Sequence, residues 1–226
     1  MLFRLFRLPP IVYFILSPIL LVLGVVLYFY ETDRDDQRAA ALSHDAPAEI
    51  ELADIPTSES GSDFNEIVVR AQLDFNNAME LVRTKRGRER GRKLFVPMHP
   101  ADAADFSAPA LAVMEIDGAV SDGELAQFYV ADGAVGPVFV LNGVLEGGTG
   151  SDVAQAFEGR VTLAPDAPTV IPFVEGREAA LQAKNMGMTL LILGLVLAAL
   201  LGGYGYLRKR HLDAQRAAEE AQYAEG

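Results

Sequence analysis

From Leu8 to Tyr30 the chain reads LPPIVYFILSPILLVLGVVLYFY, and from Asn185 to Leu207 it reads NMGMTLLILGLVLAALLGGYGYL. Each stretch holds 23 residues without a charge, bounded by Arg7 and Glu31 in one case and by Lys184 and Arg208 in the other. At ~1.5 Å per residue such a helix is about 34 Å long, enough to cross roughly 30 Å of hydrocarbon with some tilt. Buried core helices are the competing reading, but core helices that long seldom lack every charge. Two membrane spans, 8–30 and 185–207, are therefore expected.

The first span sits where a cleaved signal peptide would. Its apolar run exceeds the usual ~7–15 residue core, and Tyr28-Phe29-Tyr30-Glu31 offers no small-residue cleavage site, so it reads as an uncleaved signal anchor. Pro18, preceded by Ser17, should kink it, and the tyrosines near its outer end suit the headgroup region. In the second span Gly194, Ala198, Ala199, Gly202, Gly203 and Gly205 form a small-residue surface. The four-residue steps from Gly194 to Ala198 to Gly202 would let a partner helix approach closely, although membrane helices also tolerate glycine without such contact.

Orientation follows from the flanks. Arg4, Arg7, Arg208, Lys209 and Arg210 lie on the two tails, against Arg34, Arg38, Arg177 and Lys184 near the inner ends of the spans. Short tails dominate the positive-inside rule, so residues 1–7 and 208–226 are expected in the cytoplasm. The intervening chain would then face the periplasm of a bacterial inner membrane, and the absence of cysteine fits an oxidising compartment.

Composition narrows the rest. The 226 residues are 50% hydrophobic and 22% charged, which excludes a disordered or fibrous chain. Without cysteine there are no disulfides, thiolate metal sites or cysteine nucleophiles, and tryptophan is absent too. The net charge of −12 has the wrong sign for a nucleic-acid surface.

Residues 31–63 hold ten acids, two bases and few large apolar residues (Leu42, Ile50, Leu52 and Ile55). With Pro47, Pro56 and the run Ser58 to Ser62, this composition predicts an extended acidic linker lifting a domain off the membrane. Residues 64–184 should form that domain. Val69, Ala71, Leu73 and Phe75 alternate with Arg70, Gln72, Asp74 and Asn76, the period-two mark of a half-buried strand. A helical stripe at 64, 68, 71, 75, 79 and 82 competes, but the alternation is unbroken and Asn76-Asn77 makes a good turn. Further apolar runs follow at 94–98, 111–116, 128–130, 138–145, 161–163 and 169–174, separated by Gly-, Asp- and Pro-rich turns. The expected fold is a mainly-β barrel or sandwich, with room for an α+β variant, between two transmembrane helices.

Catalytic groups are sparse. His99 is the only histidine inside the domain, in His99-Pro100-Ala101-Asp102-Ala103-Ala104-Asp105, a spacing that matches no established metal-ligand pattern and reads as a solvated loop. Ser107, Ser121 and Ser151 lack a nucleophile-elbow pattern, and Gly147-Gly148-Thr149-Gly150 lacks a P-loop lysine and reads as a hairpin loop. No catalytic residue, metal or cofactor is expected. One feature stands apart: Arg83, Lys85, Arg86, Arg88, Arg90, Arg92 and Lys93 place seven bases beside one acid, Glu89, in an otherwise acidic domain. Two glycines make it read as a mobile loop, suited to anionic lipid headgroups or an acidic protein partner. The competing reading is a solvated loop that offsets the domain's own negative field.

One terminal membrane helix at each end of a β-rich extracytoplasmic domain resembles the Surfeit-locus family of cytochrome oxidase assembly factors. The stretch Val68 to Phe75, the arginine- and glycine-bearing segment, and Leu94-Phe95-Val96-Pro97-Met98 are similar to that family's strand, loop and proline-ended strand. Asn185-Met186 stands where the family has Asn-His, and the family's tryptophan segment is missing, so haem handling does not carry over. The resemblance implies a part in respiratory complex assembly. The expectation is a non-enzymatic inner-membrane protein assisting assembly or stabilisation of a membrane protein complex. Its rivals are a periplasmic solute- or envelope-binding module and a hydrolase or metal enzyme centred on His99.

Overall fold

The computed structural model describes residues 8–55, 64–105, 107–118 and 122–224. Arg4, Arg7, Pro56, Ser121 and the serine-rich run at 58–62 lie outside the described residues. The chain forms two units, one built from the chain up to Asp36 and from Ala183 onward, the other from Gln37–Gln182.

The first unit is a helix pair. Helix α1, Pro10–Leu42, runs 33 residues with Pro18 inside it; helix α5, Met186–Ala224, runs 39. Both are long and apolar enough to cross a membrane. They pack antiparallel through small residues. A Cβ on Gly194 would stand 2.9 Å from the Gly24 Cα, and one on Gly202 would stand 3.2 Å from the Ser17 Oγ. The Ser17 hydroxyl donates to the Ala198 carbonyl at 2.8 Å, and Tyr13 meets Tyr204 edge to face at 5.0 Å. At the other end the Asp35 carboxylate accepts from the Lys184 and Asn185 amides at 3.1 and 3.0 Å, supplying acceptors where α5 begins. Asn185 sits at φ 51°, a left-handed position that asparagine tolerates better than most residues.

Within the described residues 31–55, the extended linker expected over 31–63 gives way to helix, strand and a 3₁₀ turn. Residues 31–42 continue α1, because a helix already nucleated propagates cheaply through Glu, Gln, Arg and Ala with no Gly or Pro to stop it. Strand β1, Glu49–Glu51, then pairs in parallel with strand β2, Glu66–Leu73, and the following 3₁₀ turn, Leu52–Asp54, buries Leu52 in the core. Charge content marked this segment as solvated; one buried leucine and a strand pairing hold it.

The second unit is a closed barrel. Its strands are β2 Glu66–Leu73, β3 Met79–Lys85, β4 Arg88–Pro100, β5 Ala112–Asp117, β6 Tyr129–Asp132, β7 Pro137–Gly148 and β8 Pro168–Pro172. β2 pairs with β4, β4 with β5, β5 with β8 in parallel, β8 with β7, and β7 with β2, which closes the ring. Numbered within the ring, the order is 1-2-3-5-4-1, the connectivity of an OB-type Greek-key barrel. The interior holds Ile67, Val69, Ala71 and Leu73 of β2 with Val96, Met98, Met114, Leu141 and Val170 from the other strands. Fully burying each large aliphatic side chain contributes about 1.5–3 kcal/mol.

Helix α2 is Asp122–Ala126, α3 is Ser151–Phe157 and α4 is Arg177–Leu181. Gly147 to Gly150 is thus no hairpin loop: β7 ends within it and α3 begins directly after it. This short helix brings Phe157 onto the outer face of the barrel against Phe95 and Val113, with Met79 and Leu81 packed alongside. The run 161–163 makes no strand, only an isolated bridge from Ala110 to Leu163.

Candidate functional site

The basic segment is a two-stranded arm, not the mobile loop that two glycines suggested. β3 and β4 pair from Met79↔Phe95 outward to Lys85↔Arg88, turning at Arg86-Gly87 with φ of 56° and 73°. Positive φ at both turn positions is the I′ geometry that matches strand twist, and Asn-Gly is its favoured sequence. Glycine is at home there. Arginine is not, and a non-glycine residue in left-handed backbone costs about 1–2 kcal/mol.

Beyond Lys93↔Asp117 the arm has no further pairing with β5, and among the described residues 83–91 pair only with one another. At ~3.3 Å per residue the arm extends about 15 Å past the barrel. A register shift between Arg83 and Thr84 places Arg90 in a bulge. Strand alternation then puts Arg83, Lys85 and Arg88 on the face shared with Leu81, and Arg92 on the opposite face with Glu80 and Glu89.

The seven bases divide into two groups. At the root, Arg92 pairs with Glu80 at 2.7 Å and Glu89 at 3.1 Å, while Lys93 bonds Glu115 and lies 3.7 Å from Asp117. Hydrogen bonding to Glu115 holds the Lys93 ammonium above its ordinary pKa of 10.5. At the distal end, Arg83, Lys85, Arg86, Arg88 and Arg90 are exposed and form no ion pair among the described residues.

A buried polar node lies elsewhere on the barrel's outer surface. Gln72 of β2, only 1% exposed, reaches two loops at once. Its Oε1 accepts from the Val135 and Gly136 amides at 2.8 and 3.2 Å, and its Nε2 donates to the carbonyls of Pro100, Ala101 and Ala103 at 3.2, 3.0 and 2.8 Å. Asp74, also buried, caps the 3₁₀ turn Phe75–Asn77 by accepting from the Asn77 amide and side chain at 3.2 and 2.6 Å. His99 pairs in register with Gln72 and is 1% exposed. The expected solvated loop is therefore the buried end of a strand: β4 runs on to Pro100, and the register with β2 carries His99 beneath the chain. Burial pushes its imidazole below the ordinary value of 6.5, and the Asp74 carboxylate opposes that shift. Asp102 and Asp105 are exposed, and Asp105 accepts from the Ser107 amide at 2.8 Å.

Arg177 forms a further, partly buried polar contact. It gives a bidentate pair to Glu66 at 2.7 and 3.0 Å and donates to the Ala41 carbonyl at 2.7 Å. One guanidinium thereby joins Ala41, the start of β2 and helix α4, all within the second unit. A shallow open depression of about 520 Å³ is lined by Glu51, Ala53, Arg70, Pro100, Ala101 and Asp102.

Period-two alternation puts Gln72 and Asp74 on the solvent side and Phe75 inside; in the structure Gln72 and Asp74 are buried and Phe75 is exposed. No local pattern in the sequence marks Glu66, Asp35 or Gly24. A usable signal was present only for the arm, where alternation on both sides of Arg86-Gly87 marks a hairpin. No protein-family model matches the sequence, and no curated protein is recognisably related to it.

Proposed function

We propose that this chain is a non-enzymatic membrane protein, anchored by α1 and α5 with both tails cytoplasmic. Its barrel lies on the periplasmic side of a bacterial inner membrane and assists assembly or stabilisation of a membrane protein complex. The observation that carries the anchoring is the outward surface of the helix pair. Ile11, Val22, Phe29, Leu200 and Leu207 are each 60–65% exposed, and only 11% and 17% of the two apolar windows is buried. Contiguous apolar surface on that scale supports lipid contact rather than water. Support for a docking role comes from the barrel: the titratable His99 is withdrawn into the protein, while a basic arm is presented to the outside of an otherwise acidic unit. An OB-type barrel alone names no partner.

Alkaline extraction of membranes tests anchoring; release of the chain into the soluble fraction would overturn it. A reporter active only in the cytoplasm should work after Gly226 and be silent when inserted near Ser60, and activity at Ser60 would reverse the orientation. Affinity purification in mild detergent should recover a membrane protein complex whose level falls when this chain is deleted. An unchanged complex would retire the assembly role and leave the solute-binding and enzyme readings.

A further inference from the structure

We propose that the distal β3–β4 arm is an electrostatic foot that docks on anionic phospholipid headgroups of the bilayer into which α1 and α5 insert, an inference that rests on the membrane reading above.

Three observations carry it. First, the arm adds nothing to the barrel's sheet: among the described residues, 83–91 pair only with each other. Second, a base occupies the tip against backbone preference: Arg86 stands at φ 56°, where asparagine or glycine would relieve the strain. A local rule broken without local compensation points to a demand from outside. Third, the charge is left available. Outside residues 83–93 the segment 31–185 holds 26 acids and six bases, yet the five distal bases pair with none of the described acids. An arm that served to offset the domain's own field would be expected to fold back onto those acids; only Arg92 and Lys93 at its root are so engaged.

Lipid is favoured over an acidic protein by presentation and tethering. The distal bases lie on one strand face, at the turn and at the bulge, without a flat constellation or a neighbouring apolar anchor at the tip. That arrangement suits a diffuse layer of phosphates, which Arg can contact in many poses, better than one carboxylate surface. Both ends of the barrel unit also continue into the apolar helices, so a domain about 40 Å across stays within reach of headgroups at high effective concentration. The acidic barrel surface would be repelled by the same layer, leaving the arm as the element able to approach it.

The chain has no cysteine, so Thr84→Cys, on the exposed arm, supplies a single site for a fluorophore. The labelled full chain is reconstituted into vesicles of phosphatidylcholine, or of phosphatidylcholine with phosphatidylglycerol, each carrying a headgroup-attached quencher. Quenching should rise several-fold with phosphatidylglycerol and fall back in about 0.5 M salt, where screening acts within about 4–5 Å. Replacing Arg83, Arg86, Arg88 and Arg90 with Gln should return it to the phosphatidylcholine level, and replacing them with Lys should preserve it. Equal quenching in both lipids, or persistence in the Gln variant, would overturn the proposal. So would no quenching in either vesicle, which leaves an acidic protein surface, or quenching that follows protein density, which indicates a second copy. Failure of the chain to resist alkaline extraction refutes the membrane reading as well; insertion without a phosphatidylglycerol response refutes the foot alone.

Discussion

Replacing Gln72 with Ala should be among the most damaging single changes in the barrel, although the residue touches no proposed partner. The side chain is 1% exposed and holds two loops 28 and 63 positions away along the chain. Truncation leaves the Val135 amide, whose bond is fully buried, without its acceptor, at about 1–3 kcal/mol. The Gly136 amide and the carbonyls of Pro100, Ala101 and Ala103 are partly reached by water, so each of these losses is smaller, about 0.5 kcal/mol. These hydrogen-bond losses alone come to about 3–5 kcal/mol, and the volume left unfilled adds to them.

For a unit of this size each kcal/mol shifts the midpoint by about 2–4 °C, so thermal unfolding of the full chain in detergent should move down by about 10 °C. Hydrogen exchange adds a local readout, with the Val135 and Gly136 amides losing protection first. Gln72→Glu separates the two halves of the network. It keeps an acceptor for both amides but turns a carboxylate toward three carbonyl oxygens, so it should be no milder than Ala at neutral pH and partly relieved in acid. An Ala variant melting within about 2 °C of the parent, with Val135 still protected, would refute the reasoning.

Two further outcomes follow from the packing. His99 has a folded-state pKa below its ordinary value, so the unfolded chain binds the extra proton first; stability should be intact above about 6.5 and fall as pH drops from there toward the folded value. Urea midpoints at pH 7.5 and 5.5 should show this slope and its reduction in His99→Gln, and an equal slope in both proteins would remove His99 as its source. In the helix pair, a Cβ on Gly202 would lie 3.8 Å from the Ser17 Cβ, within disulfide range, so Ser17→Cys with Gly202→Cys should cross-link on oxidation. Adding Gly194→Leu should suppress that cross-link by forcing the helices apart at an overpacking cost of about 1–3 kcal/mol, and an undiminished yield would contradict the close approach at Gly24.

The sequence by itself determined the two long apolar helices and the strand-rich character of the chain between them. Uncharged length and period-two alternation are local properties, written in neighbouring residues. It also marked the small-residue surface at Gly194, Ala198 and Gly202, though not that Gly24, Ser17 and Tyr13 of the same chain would meet that side of α5. Alternation tells which residues share a strand face. It does not tell whether another segment will cover the second face, and so Gln72, Asp74 and His99 read as solvated until the loops at 100–103 and 133–136 and the turn at 75–77 were in place. The acidic stretch after Tyr30 misled for a related reason: composition reports affinity for water, whereas helix propagation depends on the turn that precedes it. Tertiary structure alone decided the closure of the ring through β2 and β7 and the union of Glu66 with Arg177, 111 residues away. Such pairings lie beyond any local period, and they form only when burial of the whole interior offsets the entropy of bringing distant segments together.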